Sequence, residues 1–70
     1  MSIKEIGAKR ISDAVSNEKM GITVKVVDGE ISLALSQESK GEIEIRLKKE
    51  DISQLIKWLE KASLLAKYGF

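Results

Sequence analysis

The chain reads as one α+β domain: an N-terminal helix, a three-stranded antiparallel β-meander, and a long C-terminal helix packed on one sheet face. Three observations predict this class. Glu42-Ile43-Glu44-Ile45-Arg46-Leu47 alternates polar and apolar residues, the mark of a half-buried strand. It runs almost without a loop into an apolar stripe at helical spacing: Ile52, Leu55, Ile56, Leu59, Ala62 and Ala66. Asp28-Gly29 stands between two further alternating runs, Ile22 to Val27 and Glu30 to Ser36, a strong short-range hairpin signal.

The N-terminal helix is expected over residues 3–16. Ser2-Ile3-Lys4-Glu5 has the form of a capping box. Ile3, Ile6, Gly7, Arg10, Ile11 and Ala14 then follow helical spacing. Gly7 weakens such a helix by about 1 kcal/mol relative to Ala, and Asn17 is suited to ending it. The rival reading is a short first strand from Lys9 to Asp13. Residues 17–21 form a connector.

A type I′ turn at Asp28-Gly29 pairs Val27 with Glu30, Val26 with Ile31, Val24 with Leu33 and Ile22 with Leu35. A second turn over Glu38-Ser39-Lys40-Gly41 sets Ile43 opposite Leu35, Ile45 opposite Leu33 and Leu47 opposite Ile31. The three deeper pairs of the hairpin and all of these fall on one apolar face, which needs a helix or a partner over it. The C-terminal helix, from about Glu50, is the expected cover. Glu50 and Asp51 fall in its first turn, where negative charge suits the helix dipole, and Gly69 suits its stop. The opposite face carries Thr23, Lys25, Val27, Ser32, Ala34, Ser36, Glu42, Glu44 and Arg46, and is expected to be exposed.

Seventy residues make one small domain, residues 1–70, whose own core is marginal. There is no cysteine, hence no disulfide and no thiolate chemistry, and no histidine, the commonest metal ligand and general base. Charged residues are 33% and apolar ones 43%, which implies a folded soluble domain rather than disorder. The net charge of +1 is far from the strongly basic balance of duplex-DNA binders. The composition, rich in Ile, Lys and Glu, resembles that of thermophile proteins. No apolar run has transmembrane length and no signal-peptide core opens the sequence, so the expected compartment is the cytoplasm, with no membrane partner.

No metal-ligand spacing, phosphate-binding glycine loop or nucleophile–base pair stands out, and no cofactor or small-molecule substrate is expected. Glu42 and Glu44 beside Arg46 read as a solvated strand face, not as an acid–base pair, which would need a pocket. The chain is therefore read as no enzyme. Basic residues on the strands, in the second turn and at the strand–helix junction are the candidate phosphate contacts: Lys25, Lys40, Arg46, Lys48 and Lys49. Lys9 and Arg10 add a further basic pair. The C-terminal segment carries more apolar side chains than one helix can bury in its own core. Trp58 and Leu65 flank the core stripe, Leu64 lies nearly opposite it, and Tyr68 and Phe70 close the sequence. These five are the candidate interface of a homodimer. The rival reading packs Trp58 and Leu65 under the N-terminal helix.

The hairpin Val24-Lys-Val-Val-Asp-Gly-Glu-Ile-Ser-Leu, then Ile43-Glu-Ile-Arg-Leu, two residues, and Glu50-Asp-Ile-Ser-Gln-Leu give residues 22–62 a likeness to a known family. This stretch resembles the single-stranded-DNA-binding domain of the transcriptional positive cofactor four family. The resemblance implies antiparallel strands before one C-terminal helix, dimerisation through the helix region and binding of single-stranded DNA. Lys25, Arg46 and Lys40 are the positions it would carry over. Two features depart from it: the family's first strand is a predicted helix here, and the aromatic and basic strand residues that hold DNA are mostly missing. The expected function is thus non-catalytic binding of single-stranded DNA or RNA. The alternative is a small protein-interaction or oligomerisation module with no nucleic-acid role.

Overall fold

A computed structural model describes residues 2–69. Among the described residues the chain forms four strands and one helix: β1 (Ile3–Ser12), β2 (Lys19–Val27), β3 (Glu30–Gln37), β4 (Gly41–Leu47) and α1 (Lys49–Lys67). The strands lie in one antiparallel sheet in the order β1-β2-β3-β4. The hairpin has the expected register, with Val27 opposite Glu30, Val26 opposite Ile31, Val24 opposite Leu33 and Ile22 opposite Leu35. Asp28 (φ 50°) and Gly29 (φ 80°) both take the left-handed conformation that a type I′ turn requires. The β3–β4 register also follows the apolar pattern, with Leu35, Leu33 and Ile31 opposite Ile43, Ile45 and Leu47.

The N-terminal helix expected over residues 3–16 is replaced by a fourth strand, so the meander has four strands, not three. β1 pairs with β2 along its length, from Ile3 opposite Val27 to Ser12 opposite Lys19, with a register shift between Glu5 and Gly7. That shift explains the misleading pattern. A bulge inserts one extra residue, Ile6, so the step of two is broken near the start of the strand. The interval from Ile3 to Ile6 then mimics a helical turn. β-branched Ile3, Ile6 and Ile11 suit a strand, Gly7 disfavours a helix, and pairing with β2 satisfies backbone groups that an open edge would leave bare. Of the rival first strand, Lys9 to Asp13, residues 9–12 belong to β1, which starts six residues earlier, and Asp13 lies in the loop beyond it. Beyond β1, the Asp13 carboxylate closes the loop by accepting from the N–H groups of Val15 and Ser16, both at 2.8 Å. Asn17 (φ 62°), expected to end a helix, turns the chain into β2.

The second correction concerns α1. It begins at Lys49, carries Glu50 and Asp51 in its first turn, and is followed by Gly69 at φ 85°. It was expected to cover the sheet, yet none of its residues is buried. Ile52 is half-buried, while Leu55, Ile56 and Leu59 are exposed, Leu59 at 67%. The apolar sheet face is correspondingly open, with Ile43 at 69%. The buried residues are instead Val27, Ser32 and Ala34, all on the face expected to be exposed. Small side chains at the middle of that face sit below the long ones around them: Lys25 and Arg46 flank Ser32, and Glu44 flanks Ala34. The Cα envelope measures 45 × 32 × 16 Å, and the radius of gyration is 14.1 Å. A compact domain of this length would have a radius of about 11 Å. Among the described residues no helix is long and apolar enough to cross a membrane.

Candidate functional site

Antiparallel partners point to the same side of a sheet, so the registers sort every strand residue onto one of two faces. Three cross-strand rows of the polar face run across all four strands. Glu5, Lys25, Ser32 and Arg46 form one, Ala8, Thr23, Ala34 and Glu44 the next, and Arg10, Gly21, Ser36 and Glu42 the third. Lys25 and Arg46 are thereby brought to either side of Ser32, whose buried hydroxyl has no hydrogen-bond partner among the described residues. An unpartnered buried hydroxyl costs about 1–3 kcal/mol. Arg46 is engaged already, with Nη1 3.7 Å from Glu30 Oε1 and Nε 3.6 Å from Glu44 Oε1. These are exposed, long pairs of small energetic weight. Across the whole face, Glu5, Glu30, Glu42 and Glu44 balance Arg10, Lys19, Lys25 and Arg46.

Lys40, in the β3–β4 turn, lies at the other end of β4 from the row of Lys25 and Arg46, while Lys48 and Lys49, at the start of α1, follow Arg46 and Leu47 directly in the chain. The whole of β4, roughly 23 Å at the rise of an extended strand, separates the turn from the helix. In the sequence Arg10 stands out only as part of a basic pair. Once β1 is a strand, Lys9 and Arg10 fall on opposite faces, and Arg10 joins the polar one beside Gly21. The rival strand reading of Lys9 to Asp13 held that signal.

The apolar face carries Val26, Ile31, Leu47, Val24, Leu33, Ile45, Ile22, Leu35 and Ile43. On β1 it adds Ile11 and Gly7, with Lys4 and Lys9 at its border. At the bulge, Ile6, Gly7, Ile22 and Val24 line a shallow apolar depression. On α1, the 100° step per residue places Leu65, Trp58, Ala62, Leu55, Ala66, Leu59, Ile52 and Ile56 on one half of the cylinder. Of the candidate interface residues, Trp58, Leu64, Leu65 and Tyr68 are all exposed. Phe70 lies outside the described residues. With β1 in the sheet, the rival packing of Trp58 and Leu65 under an N-terminal helix is removed. Among the described residues no cluster of His, Cys, Asp or Glu is placed to hold a metal ion.

Comparison with protein families, with curated proteins and with solved structures finds no match to this chain.

Proposed function

We propose that this chain works as a homodimer and that the dimer is a non-catalytic binder of single-stranded nucleic acid, with the cytoplasm as its compartment. One observation carries the dimer. The chain exposes 6154 Å², whereas a folded monomer of 7.8 kDa exposes roughly 4,400 Å². The excess of roughly 1,700 Å² per chain, doubled over two chains, falls in the range of obligate homodimer interfaces. The apolar half of α1 and the apolar sheet face, with Leu59 at 67% and Ile43 at 69%, belong to that exposed surface.

Nucleic acid is supported by two features. With β1 a strand, one of the two departures from the transcriptional positive cofactor four family falls away: strands now precede a single C-terminal helix throughout. The registers also bring Lys25 and Arg46 to one face, on either side of Ser32, two cations that can meet phosphates of one strand. The second reading, an oligomerisation module with no nucleic-acid role, is favoured by the charge balance of the polar face and by its lack of stacking rings.

Anisotropy of a labelled single-stranded oligonucleotide separates the two. Lys25 and Arg46 give four phosphate contacts per dimer, so log affinity against log salt should fall with a slope of about −3. Lys25→Glu with Arg46→Glu should abolish binding. Unchanged binding in that variant moves the site elsewhere, and no binding by the wild type at low salt leaves the oligomerisation module.

A further inference from the structure

Gly7 stands where the apolar face has a hole. It lies opposite Val24, next to the bulged Ile6, and a methyl group built on it would meet nothing within 4 Å. Ile6, Ile22 and Val24 wall the depression with apolar surface, and Lys9 stands at its rim. Ile6 is itself exposed. A side chain on residue 7 would fill this space; glycine keeps it open. The φ of Gly7 lies outside the left-handed range, so backbone conformation does not demand a glycine there.

The chain also offers a side chain of the right kind with nowhere to go. Trp58 is 60% exposed on the apolar half of α1. Its own helix enters from β4, at the far edge of the sheet from β1. We infer that the Gly7 hole is a socket for Trp58 of a second copy, so that each helix lies across the other copy's apolar sheet face. This rests on the dimer proposed above and specifies its geometry. A two-fold axis makes the exchange reciprocal, with two sockets filled per dimer. The roughly 1,700 Å² of excess surface per chain is of the size that such an exchange needs to bury for an obligate dimer. Charge agrees as well. Asp51 lies seven residues before Trp58 on the same helical stripe, about 10 Å along the axis. Lys9 stands at the rim of the socket on β1, and the docked helix would bring its carboxylate towards that lysine.

The chain's one tryptophan is its own reporter. Sedimentation and acrylamide quenching of Trp58, followed across micromolar concentrations, read dimerisation and docking separately. In the wild type the dimer fraction and the shielding of Trp58 rise together. Gly7→Leu fills the socket from within and weakens dimerisation by about tenfold or more. Among the described residues there is no cysteine, so a mixture of Gly7→Cys and Trp58→Cys copies, one carrying a size tag, tests the contact directly. A short bis-maleimide should join the mixed pair. A chain that stays monomeric overturns dimer and socket together. A dimer whose Trp58 is quenched as freely as the monomer's, or whose mixed pair is not joined, overturns the socket and leaves the dimer.

Discussion

Ser2 and Asp28 exchange two hydrogen bonds: the Ser2 N–H donates to Asp28 Oδ1 at 2.7 Å, and the Asp28 N–H donates to the Ser2 carbonyl at 2.8 Å. The start of β1 is thus fastened to the β2–β3 turn, 26 residues away. In the sequence Ser2 and Asp28 are each a local signal, a helix cap and a turn residue. The fold joins them and leaves the capping box unused.

Asp28→Ala should destabilise the chain through both of its roles. It loses the acceptor for the Ser2 N–H, worth about 0.5–1.5 kcal/mol, and it places alanine at φ 50°, a further cost of about 1 kcal/mol. Asp28→Asn keeps an acceptor oxygen and tolerates the left-handed conformation, so it should lie close to wild type. Gly29→Val should cost more than Asp28→Asn, because a β-branched residue resists φ 80°. Urea denaturation of the three variants gives the order. An Asp28→Asn variant as unstable as Asp28→Ala would show that the carboxylate charge, not the geometry, holds the clamp.

Gly21 is the tight point of the polar face. A Cβ there would stand 2.6 Å from Ser36 Oγ, its partner across the β2–β3 pair. Gly21→Ala also removes freedom from the unfolded chain, which by itself stabilises by about 0.4–1 kcal/mol. The two effects oppose each other in the wild-type background. In a Ser36→Ala background the clash is gone and Gly21→Ala should stabilise. A double-mutant cycle should therefore return a coupling of about 1 kcal/mol between the sites. Additive effects would mean that the Ser36 hydroxyl turns aside at no cost.

The Asp13 carboxyl is held below the ordinary carboxylate range, first by the N–H of Ser16 and then by that of Val15. A depressed pKa in the folded state contributes stability that is present above the unfolded value of 3.8. That contribution is lost as the pH falls through the folded value. The β1–β2 loop should therefore loosen on acidification below about pH 4. The protection of the Val15 and Ser16 amides, corrected for the intrinsic exchange rate at each pH, should fall there, and Asp13→Asn, which cannot ionise, should remove that pH dependence of protection.

While Lys19–Gly21, expected in a connector, open β2, the sequence by itself determined β3, β4, β2 from Ile22 onward, their register and the ends of α1. Each rests on local chemistry: alternation with period two, an Asp-Gly pair that adopts φ above zero, and acidic residues and a glycine at the helix ends. Lys25 and Arg46 were placed on one face by the same alternation. Only the tertiary structure decided what β1 is, because the bulge at Ile6 hides a strand inside a helical interval and its proof is pairing with a distant segment. Only the tertiary structure decided which face is bare. Hydrophobic pattern marks what must leave water but not what it meets. The burial of Ser32 and Ala34 depends on the length of neighbours from other strands, and the exposure of Leu59 and Ile43 on where α1 stands relative to the sheet. Trp58 and Gly7 could not be related before that, since one is a surplus ring and the other a missing side chain until the sheet puts a hole at residue 7.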